Sequence, residues 1–199
     1  WDYWGKPVPS FGDPEARLFV IGLAPAAHGG NRTGRVFTGD SSGDWLFRAL
    51  HKAGFANQAV SRHRGDGLEL RDCYISAVIH CAPPDNKPLP NEIANCRDYL
   101  DAELRALENV RVIVALGRIA FENFLKHVPI AATPRPQFSH GAIFAIDDSK
   151  TLIASYHPSR QNTNTGKLTE PMLDSIFMKA RELLLDRPVK IFDTRAPSQ

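Results

Sequence analysis

Residues 17–40 read RLFVIGLAPAAHGGNRTGRVFTGD, and this stretch decides the fold that we expect. It opens at residues 18–23 with large apolar and β-branched side chains, a run short enough to be a fully buried strand. The apolar run is followed by a polar loop that is rich in glycine and arginine. A buried strand followed by such a loop is typical of a ligand site at the carboxyl edge of an open α/β sheet. The alternative is a long surface connection, although unstructured loops of this length in compact domains are usually functional.

The composition is that of one globular domain over residues 1–199, with 43% hydrophobic and 23% charged residues and a net charge of +2. No run approaches the roughly 20 apolar residues of a membrane span, and no signal peptide is visible. Three cysteines, an odd number, argue against a secreted disulfide framework and favour a reducing compartment, so we expect a cytoplasmic protein. The chain begins at Trp1, which leaves open that residues precede it.

Apolar runs alternate with amphipathic segments along the rest of the chain. Core strands are predicted at 18–23, 73–79, 110–117 and 151–156, and helices at 43–53, 90–108, 118–126 and 171–185. The remaining predictions are an extended arm at 1–14, loops at 57–72 and 128–141, and a short strand at 142–146. This alternation predicts an α/β fold of one domain, a three-layer αβα arrangement whose central four-stranded parallel sheet carries helices on both faces.

The loops that follow parallel strands all leave the sheet at the same edge. The loops after residues 23, 79 and 156 should therefore converge at that edge. The polar and aromatic residues that they supply are His28, Asn31, Arg32, Arg35, Phe37, Asp40, Asn86, Lys87, His157, Arg160, Gln161, Asn162 and Asn164. The patterns GxGxxG, GxxxxGK[ST], HExxH and GxSxG are absent, as is a carboxylate pair of the glycosidase type. Cations and amides around a rigid pocket suit a phosphodiester whose base is held inside.

Three stretches carry a family resemblance: GLAPAAHGGNRTGRVFTGD at 22–40, CAPPDNKP at 81–88 and HPSRQNTNTGKLT at 157–169. They resemble the signature stretches of the uracil-DNA glycosylase superfamily and are closest to family 5, the UDGb branch of bacteria and archaea. The resemblance implies a four-stranded parallel sheet between helices and hydrolysis of the N-glycosidic bond of a deaminated base in DNA, uracil above all, which is the first step of base excision repair. It also implies a [4Fe–4S] cluster held by four cysteines.

The resemblance assigns residues to a pocket for a base flipped out of the duplex. Phe37 corresponds to the ring on which the base lies, and His157 to the donor that hydrogen-bonds the base carbonyl as negative charge develops. The other residues of the pocket would be Gly22, Leu23, Ala24, Ala77 and Asn162. The alternatives are a core phenylalanine at 37 and a structural histidine at 157.

The resemblance also assigns residues that contact DNA. Arg160, Gln161 and Asn162 would enter the minor groove and fill the gap that the base leaves. Phosphate and backbone contacts would come from His28, Asn31, Arg32, Arg35, Ser159 and Asn164, which should make binding salt-dependent. The alternative for residues 160–162 is a solvated polar turn.

Two positions depart from other branches of the superfamily. Ala26 occupies the place where many relatives carry the Asp or Asn that positions the attacking water, so Asp40 and Asn86 are our candidates for this role. Asp40 is equally compatible with a helix N-cap. Ala77 stands where some branches place an Asn that reads uracil, and its loss should relax specificity toward hypoxanthine and xanthine.

Cys81 and Cys96 match the latter half of the cysteine pattern that the resemblance implies. The first pair is not in this sequence, so it either lies upstream or has been lost. Two thiolates alone do not hold an iron–sulfur cluster. The alternative is a pair of buried free thiols, and Cys73, at the start of a strand, is expected to be a small apolar filler.

Two other functions use the same sheet edge. One is a nucleotide- or phosphosugar-binding hydrolase, because a Gly-rich loop with arginines also suits a mononucleotide. The other is a non-catalytic DNA-binding module in which Ala26 marks a lost activity. For the glycosylase, the expected partner is DNA that contains a deaminated base, and the expected state is a monomer.

Overall fold

Four parallel strands form the centre of the protein, as the alternating apolar runs predict. In a computed structural model, which describes residues 3–129 and 135–186, the sheet order is β1-β3-β2-β4-β6-β5. The strands are β1 (Phe11–Gly12), β2 (Leu18–Gly22), β3 (Cys73–Ala77), β4 (Val112–Leu116), β5 (Ile143–Ala145) and β6 (Thr151–Ser155). Strands β3, β2, β4 and β6 pair in parallel, whereas β1 and β5 are antiparallel edge strands. The sheet therefore has six strands, of which the predicted four are the parallel core.

Seven helices and one 3-10 turn connect these strands within the described part of the chain. They are α1 (Gly30–Thr33), α2 (Ser41–Lys52), the 3-10 turn (Pro84–Asn86), α3 (Pro90–Asn95), α4 (Arg97–Ala106), α5 (Arg118–Phe124), α6 (Arg160–Asn164) and α7 (Glu170–Leu185). None of the helices in the described residues is both long and apolar enough to cross a bilayer.

The sheet buries both of its faces, because alternate side chains of each strand point to opposite sides. On one side, Val20 and Val114 pack with α2 and α7. On the other side, Ile21 and Ala115 pack with α4 and α5. Strands covered on both faces read as continuous apolar runs rather than alternating ones, which is why they stand out in the sequence. The three-layer arrangement is confirmed.

Three predictions of secondary structure were wrong. The arm contains β1, which is only two residues long and leaves no alternation to detect. The helix predicted over 90–108 is two helices that meet at Cys96, and apolar spacing does not reveal a bend at a single residue. The single-turn helices α1 and α6 lie in stretches predicted as loops. Residues 1–2 of the arm, 130–134 of the loop at 128–141, and 187–199 of the domain lie outside the described residues.

Candidate active site

The carboxyl ends of the four parallel strands are level with one another. Gly22 pairs with Ala77 across β2 and β3, and Leu116 pairs with Ser155 across β4 and β6. Three loops therefore leave the same edge of the sheet: the first loop (residues 22–40), the second loop (residues 78–89) and the third loop (residues 156–169). The third loop reaches the start of α2, which follows the first loop, since Arg160 Nε lies 3.3 Å from Ser41 Oγ.

The ring of Phe37 packs against the backbone of Gly22, where β2 ends. A Cβ atom at Gly22 would lie 2.6 Å from Phe37 Cζ, so only glycine admits the ring at this distance. Phe37 has a φ of 51°, a left-handed conformation that is strained for a bulky residue. It is also 9% exposed and belongs to the core cluster, as the alternative of a core phenylalanine predicts. Such strain persists only where the surrounding structure over-determines it, as at many functional sites.

His157 lies beside Phe37, with 5.8 Å between the ring centroids and 31° between the ring planes. Burial lowers the pKa of His157 from 6.5 to about 4, so the imidazole is neutral near pH 7 and has one N–H to donate. Asn162 Nδ2 donates to the His157 carbonyl oxygen at 2.8 Å. The third loop thus fixes the backbone of the histidine through the amide that the sequence placed in the base pocket.

His157 also lines a cleft of about 420 Å³. Three residues of the predicted site line it, namely Leu23, His157 and Asn162, whereas Phe37 is not part of its wall. The remaining lining comes from residues that the sequence did not indicate: Leu116, Gly117, Arg118, Ile119, Ala120, Phe138, Ser139, Tyr156 and Lys167. This size is within the range of small-molecule sites in proteins.

Asp40 is the N-cap of α2. Its Oδ1 atom accepts a hydrogen bond from Gly43 N at 3.0 Å, and its carboxyl group packs against Gly29, where a Cβ would overlap it. Burial raises the pKa of Asp40, while the hydrogen bonds from the start of α2 oppose the increase. The carboxyl group is therefore fixed in position at the base of the first loop.

Asn86 lies in the exposed 3-10 turn of the second loop. Asp85 and Asn86 have φ values of 52° and 55°, so the strain seen at Phe37 recurs here. No hydrogen bond among the described residues joins the Asn86 side chain to Asp40 or His157. Ala77 is buried beside Gly22, and Leu23 and Ala24 are half-buried where β2 ends.

Several predicted DNA contacts of the first loop are engaged with the protein itself. The hydroxyl of Tyr3 lies 2.7 Å from Nδ1 of the exposed His28, and the carbonyl of Asn31 accepts from Trp4 N at 2.8 Å. Arg32 Nε donates to the His28 carbonyl at 2.7 Å, and Arg32 also reaches the Gly39 carbonyl at 3.2 Å. These bonds hold the loop in shape and leave His28 on its surface.

Arg35 does not fit its predicted role as a phosphate contact. Its side chain is 4% exposed and forms an ion pair with Asp66 at 2.8 Å, with further bonds to Ser61 at 2.7 Å and Thr38 at 3.0 Å. Burial alone would raise the pKa of Asp66, but hydrogen bonds from Arg62 N, Arg35 and neighbouring backbone amides hold it at about 2. The prediction was wrong because the partner lies 31 positions away, and only the aspartate between Gly65 and Gly67 hints at a turn.

The third loop presents its polar residues outward. Ser159 caps α6 by accepting from Asn162 N at 3.4 Å, while Arg160, Gln161 and Asn164 are exposed on that single turn. An exposed, capped turn is the arrangement that the predicted groove contact requires.

Two of the three cysteines lie close together. Cys81 is exposed and Cys96 is half-buried, so the alternative of two buried thiols is wrong, whereas Cys73 is buried as predicted. Burial, and then the neighbouring Cys96, raise the pKa of Cys81, which places the two thiols within electrostatic reach. In residues 3–129 and 135–186 no three His, Cys, Asp or Glu side chains are grouped to hold a metal. Two thiols are fewer than the four that a [4Fe–4S] cluster needs.

Comparison with known proteins identifies the family of the chain. Residues 9–181 match the model of the uracil DNA glycosylase superfamily, and the chain belongs to that family. It is 50% identical over 181 residues to the type-5 uracil-DNA glycosylase of Thermus thermophilus, covering 91% of this chain and 82% of that protein. It is 47% identical over 180 residues to the type-5 uracil-DNA glycosylase of Pyrobaculum aerophilum, covering 90% and 77%. A type-4 uracil-DNA glycosylase of Archaeoglobus fulgidus is 29% identical over 94% of this chain and 86% of the relative. The resemblance to this superfamily and to its family 5 is confirmed.

Proposed function

We propose that the protein is a monofunctional uracil-DNA glycosylase that hydrolyses the N-glycosidic bond of uracil in DNA and leaves an abasic site. The observation that carries the proposal is the pairing of Phe37, strained and packed on Gly22, with a neutral His157 at a centroid distance of 5.8 Å. Family membership and the type-5 relatives support the same activity.

The base leaves the duplex before the reaction, at a cost of a few kcal/mol that stacking on Phe37 offsets. As the glycosidic bond breaks, its electron pair moves into the base, and negative charge develops on the base carbonyl. The neutral imidazole of His157 can donate a hydrogen bond from its N–H to this oxygen. A donor of this kind stabilises a transition state by roughly 3–4 kcal/mol.

Water then adds to the anomeric carbon, and its proton passes to solvent or to a base. Asp40 is the better supported of the two candidates to orient this water, because its half-buried carboxyl group is held in one position by the hydrogen bond from Gly43 N. Asn86 is exposed on the second loop and would act from the opposite side. A larger loss of turnover in Asp40→Ala than in Asn86→Ala supports this order, and the reverse assigns the water to Asn86.

Exposed residues of the third loop would enter the minor groove and replace the extruded base. Arg160 and Gln161 lie on the capped turn of α6, and Asn162 joins that turn to the backbone of His157. His28, Asn31, Arg32, Ser159 and Asn164 would add backbone contacts around the same edge. Arg35 is excluded from this set, because its guanidinium is buried on Asp66.

Cys81 and Cys96 would supply two of the four thiolates of a [4Fe–4S] cluster. The proximity of an exposed and a half-buried thiol supports this assignment. The cluster would be structural, because the hydrolysis transfers no electron. Iron and sulfide analysis of protein purified without oxygen tests the assignment.

The substrate range would include hypoxanthine and xanthine besides uracil. Ala77 is buried next to Gly22 and offers only a methyl group toward a base. Ala77→Asn should raise the preference for uracil over hypoxanthine, and an unchanged ratio would contradict this part of the proposal. We further propose that the protein acts in the cytoplasm as a monomer.

A duplex that contains one deoxyuridine tests the proposed function against its rivals. Release of free uracil without strand cleavage is the expected result. Tight binding without release would instead identify a non-catalytic DNA-binding module. Indifference to the duplex together with affinity for mononucleotides would identify a nucleotide-binding hydrolase.

A further inference from the structure

A group of positively charged side chains lies beside the first loop and outside every motif that carries the family resemblance. It consists of Lys6 from the arm and of Arg62 and Arg64 from the connection between α2 and β3, and all three are exposed. We call this group the arm patch. At its centre the ring of Trp4 contacts Lys6 Nζ at 4.7 Å and Arg64 Cζ at 4.4 Å from the ring centroid.

The aromatic centre of the arm patch is fixed to the first loop. Trp4 N donates to the Asn31 carbonyl at 2.8 Å, and Trp4 Nε1 donates to the Pro7 carbonyl at 3.2 Å. Gly34 has a φ of 71°, and a Cβ there would overlap the Trp4 ring, so the ring lies directly on the loop backbone. The arm is therefore a built part of the rim of the site.

The segment of the arm patch between α2 and β3 is held by Asp66, the aspartate that pairs with Arg35. Asp66 accepts hydrogen bonds from Arg62 N at 2.7 Å and from His63 N at 3.3 Å. Gly39 N, between Phe37 and Asp40, donates to the Ser61 carbonyl at 3.2 Å. The backbone that presents these cations is thus tied to the segment that carries the candidate catalytic groups.

The charges of the arm patch are not neutralised within the described part of the chain. The carboxylate of Asp66 is engaged with Arg35 and with backbone amides, and no ion pair among residues 3–129 and 135–186 uses Lys6, Arg62 or Arg64. The ring of Trp4 attracts both cations that contact it, which offsets their mutual repulsion. Fixed cations without counter-charges form an anion-binding surface.

We propose that the arm patch binds the phosphodiester backbone of the duplex that flanks the flipped nucleotide. The inference rests on the proposed function, because it takes DNA as the substrate. Duplex DNA carries one negative charge per roughly 1.7 Å of axis, so a row of cations at the rim meets several phosphates. Such contacts position the duplex without reading its sequence, and they contribute to binding rather than to bond cleavage.

The test compares two double variants that lose the same charge. Lys6→Ala/Arg64→Ala removes the two cations that contact Trp4. Arg105→Ala/Lys179→Ala removes the exposed Arg105 from α4 and the half-buried Lys179 from α7. The dissociation constant is measured for a duplex that carries a non-hydrolysable deoxyuridine analogue, over a series of salt concentrations. Turnover is measured with saturating deoxyuridine duplex.

The arm-patch variant should bind severalfold more weakly, and the slope of log K against log[salt] should decrease by about 0.9 for each lost phosphate contact, or about 2 in total. Its kcat should equal that of the control variant. If its affinity and salt slope also equal those of the control, the arm patch does not bind DNA. If the wild-type protein binds the duplex but releases no uracil, the proposed function is wrong. The salt slope of the arm-patch variant then still decides whether the arm patch binds DNA.

Discussion

The first loop and the third loop meet at Phe37 and His157, yet they are held in different ways. The first loop rests on a buried ion pair, on glycines that admit Phe37 and Trp4, and on the N-cap of α2. The third loop rests on a weak cap at Ser159, on short-range hydroxyl bonds from Thr163 and Thr165, and on side-chain bonds from Asn162 and Arg160. This difference indicates that the first loop is packed into the core of the protein. The third loop has its polar residues at the surface, where a partner can contact them.

The largest expected effect is the loss of the ion pair beneath the first loop. Arg35→Met should lower the free energy of unfolding by about 3–5 kcal/mol, because it leaves the carboxylate of Asp66 buried without its cation. Chemical denaturation measures this change. Arg160→Met is the matched control in the third loop, where an exposed arginine should cost less than about 0.5 kcal/mol. If the two substitutions lower the free energy of unfolding equally, the first loop is not held more firmly than the third.

The next effect concerns the chemical step at the meeting point of the loops. His157→Ala should reduce kcat by about 10²–10³, since it removes the donor to the charged leaving base. Single-turnover release of uracil measures this rate. His51→Ala is the control, because it removes an exposed histidine of α2 that does not line the cleft. A rate for His157→Ala similar to that of the control would assign the donor elsewhere.

The two loops should also respond to acid in different pH ranges. The pKa of His157 falls from 6.5 to about 4 on folding, so between these values the unfolded chain binds a proton that the folded chain does not. Stability should therefore decrease as pH falls from 6.5 to 4, by at most about 3 kcal/mol. Asp66, with a pKa lowered from 3.8 to about 2, loses its contribution only below pH 3.8.

Unfolding at several pH values in wild type and in His157→Gln measures the component that belongs to the histidine. The variant should lack the decrease between pH 6.5 and 4 while keeping the decrease below pH 3.8. Parallel curves for the two proteins would show that His157 is not desolvated in the folded state.

The same contrast explains how much of the protein could be predicted from the sequence. The core strands were predictable because strands that are buried on both faces have continuous apolar sequences. The convergence of the loops was predictable because the strands are parallel. The state of Arg35 was not predictable, because its partner Asp66 comes from a distant turn that no periodic pattern marks. The arm patch depends in the same way on Trp4 meeting Arg64 across sixty residues. Local patterns indicate strands and strand ends, whereas the pairing of polar side chains depends on tertiary contacts.

The smallest effect tests whether the exposed side of the third loop is a DNA surface. Arg160→Ala should leave stability almost unchanged and should reduce the salt slope of duplex binding by about 0.9, the value of one phosphate contact. Ser41→Ala is the matched control, since it breaks the 3.3 Å bond from Arg160 Nε but keeps the guanidinium. If Ser41→Ala weakens binding as much as Arg160→Ala, the arginine acts by holding the third loop on α2. In that case both loops are structural walls of the site, and contact with the DNA backbone would have to come from the arm patch.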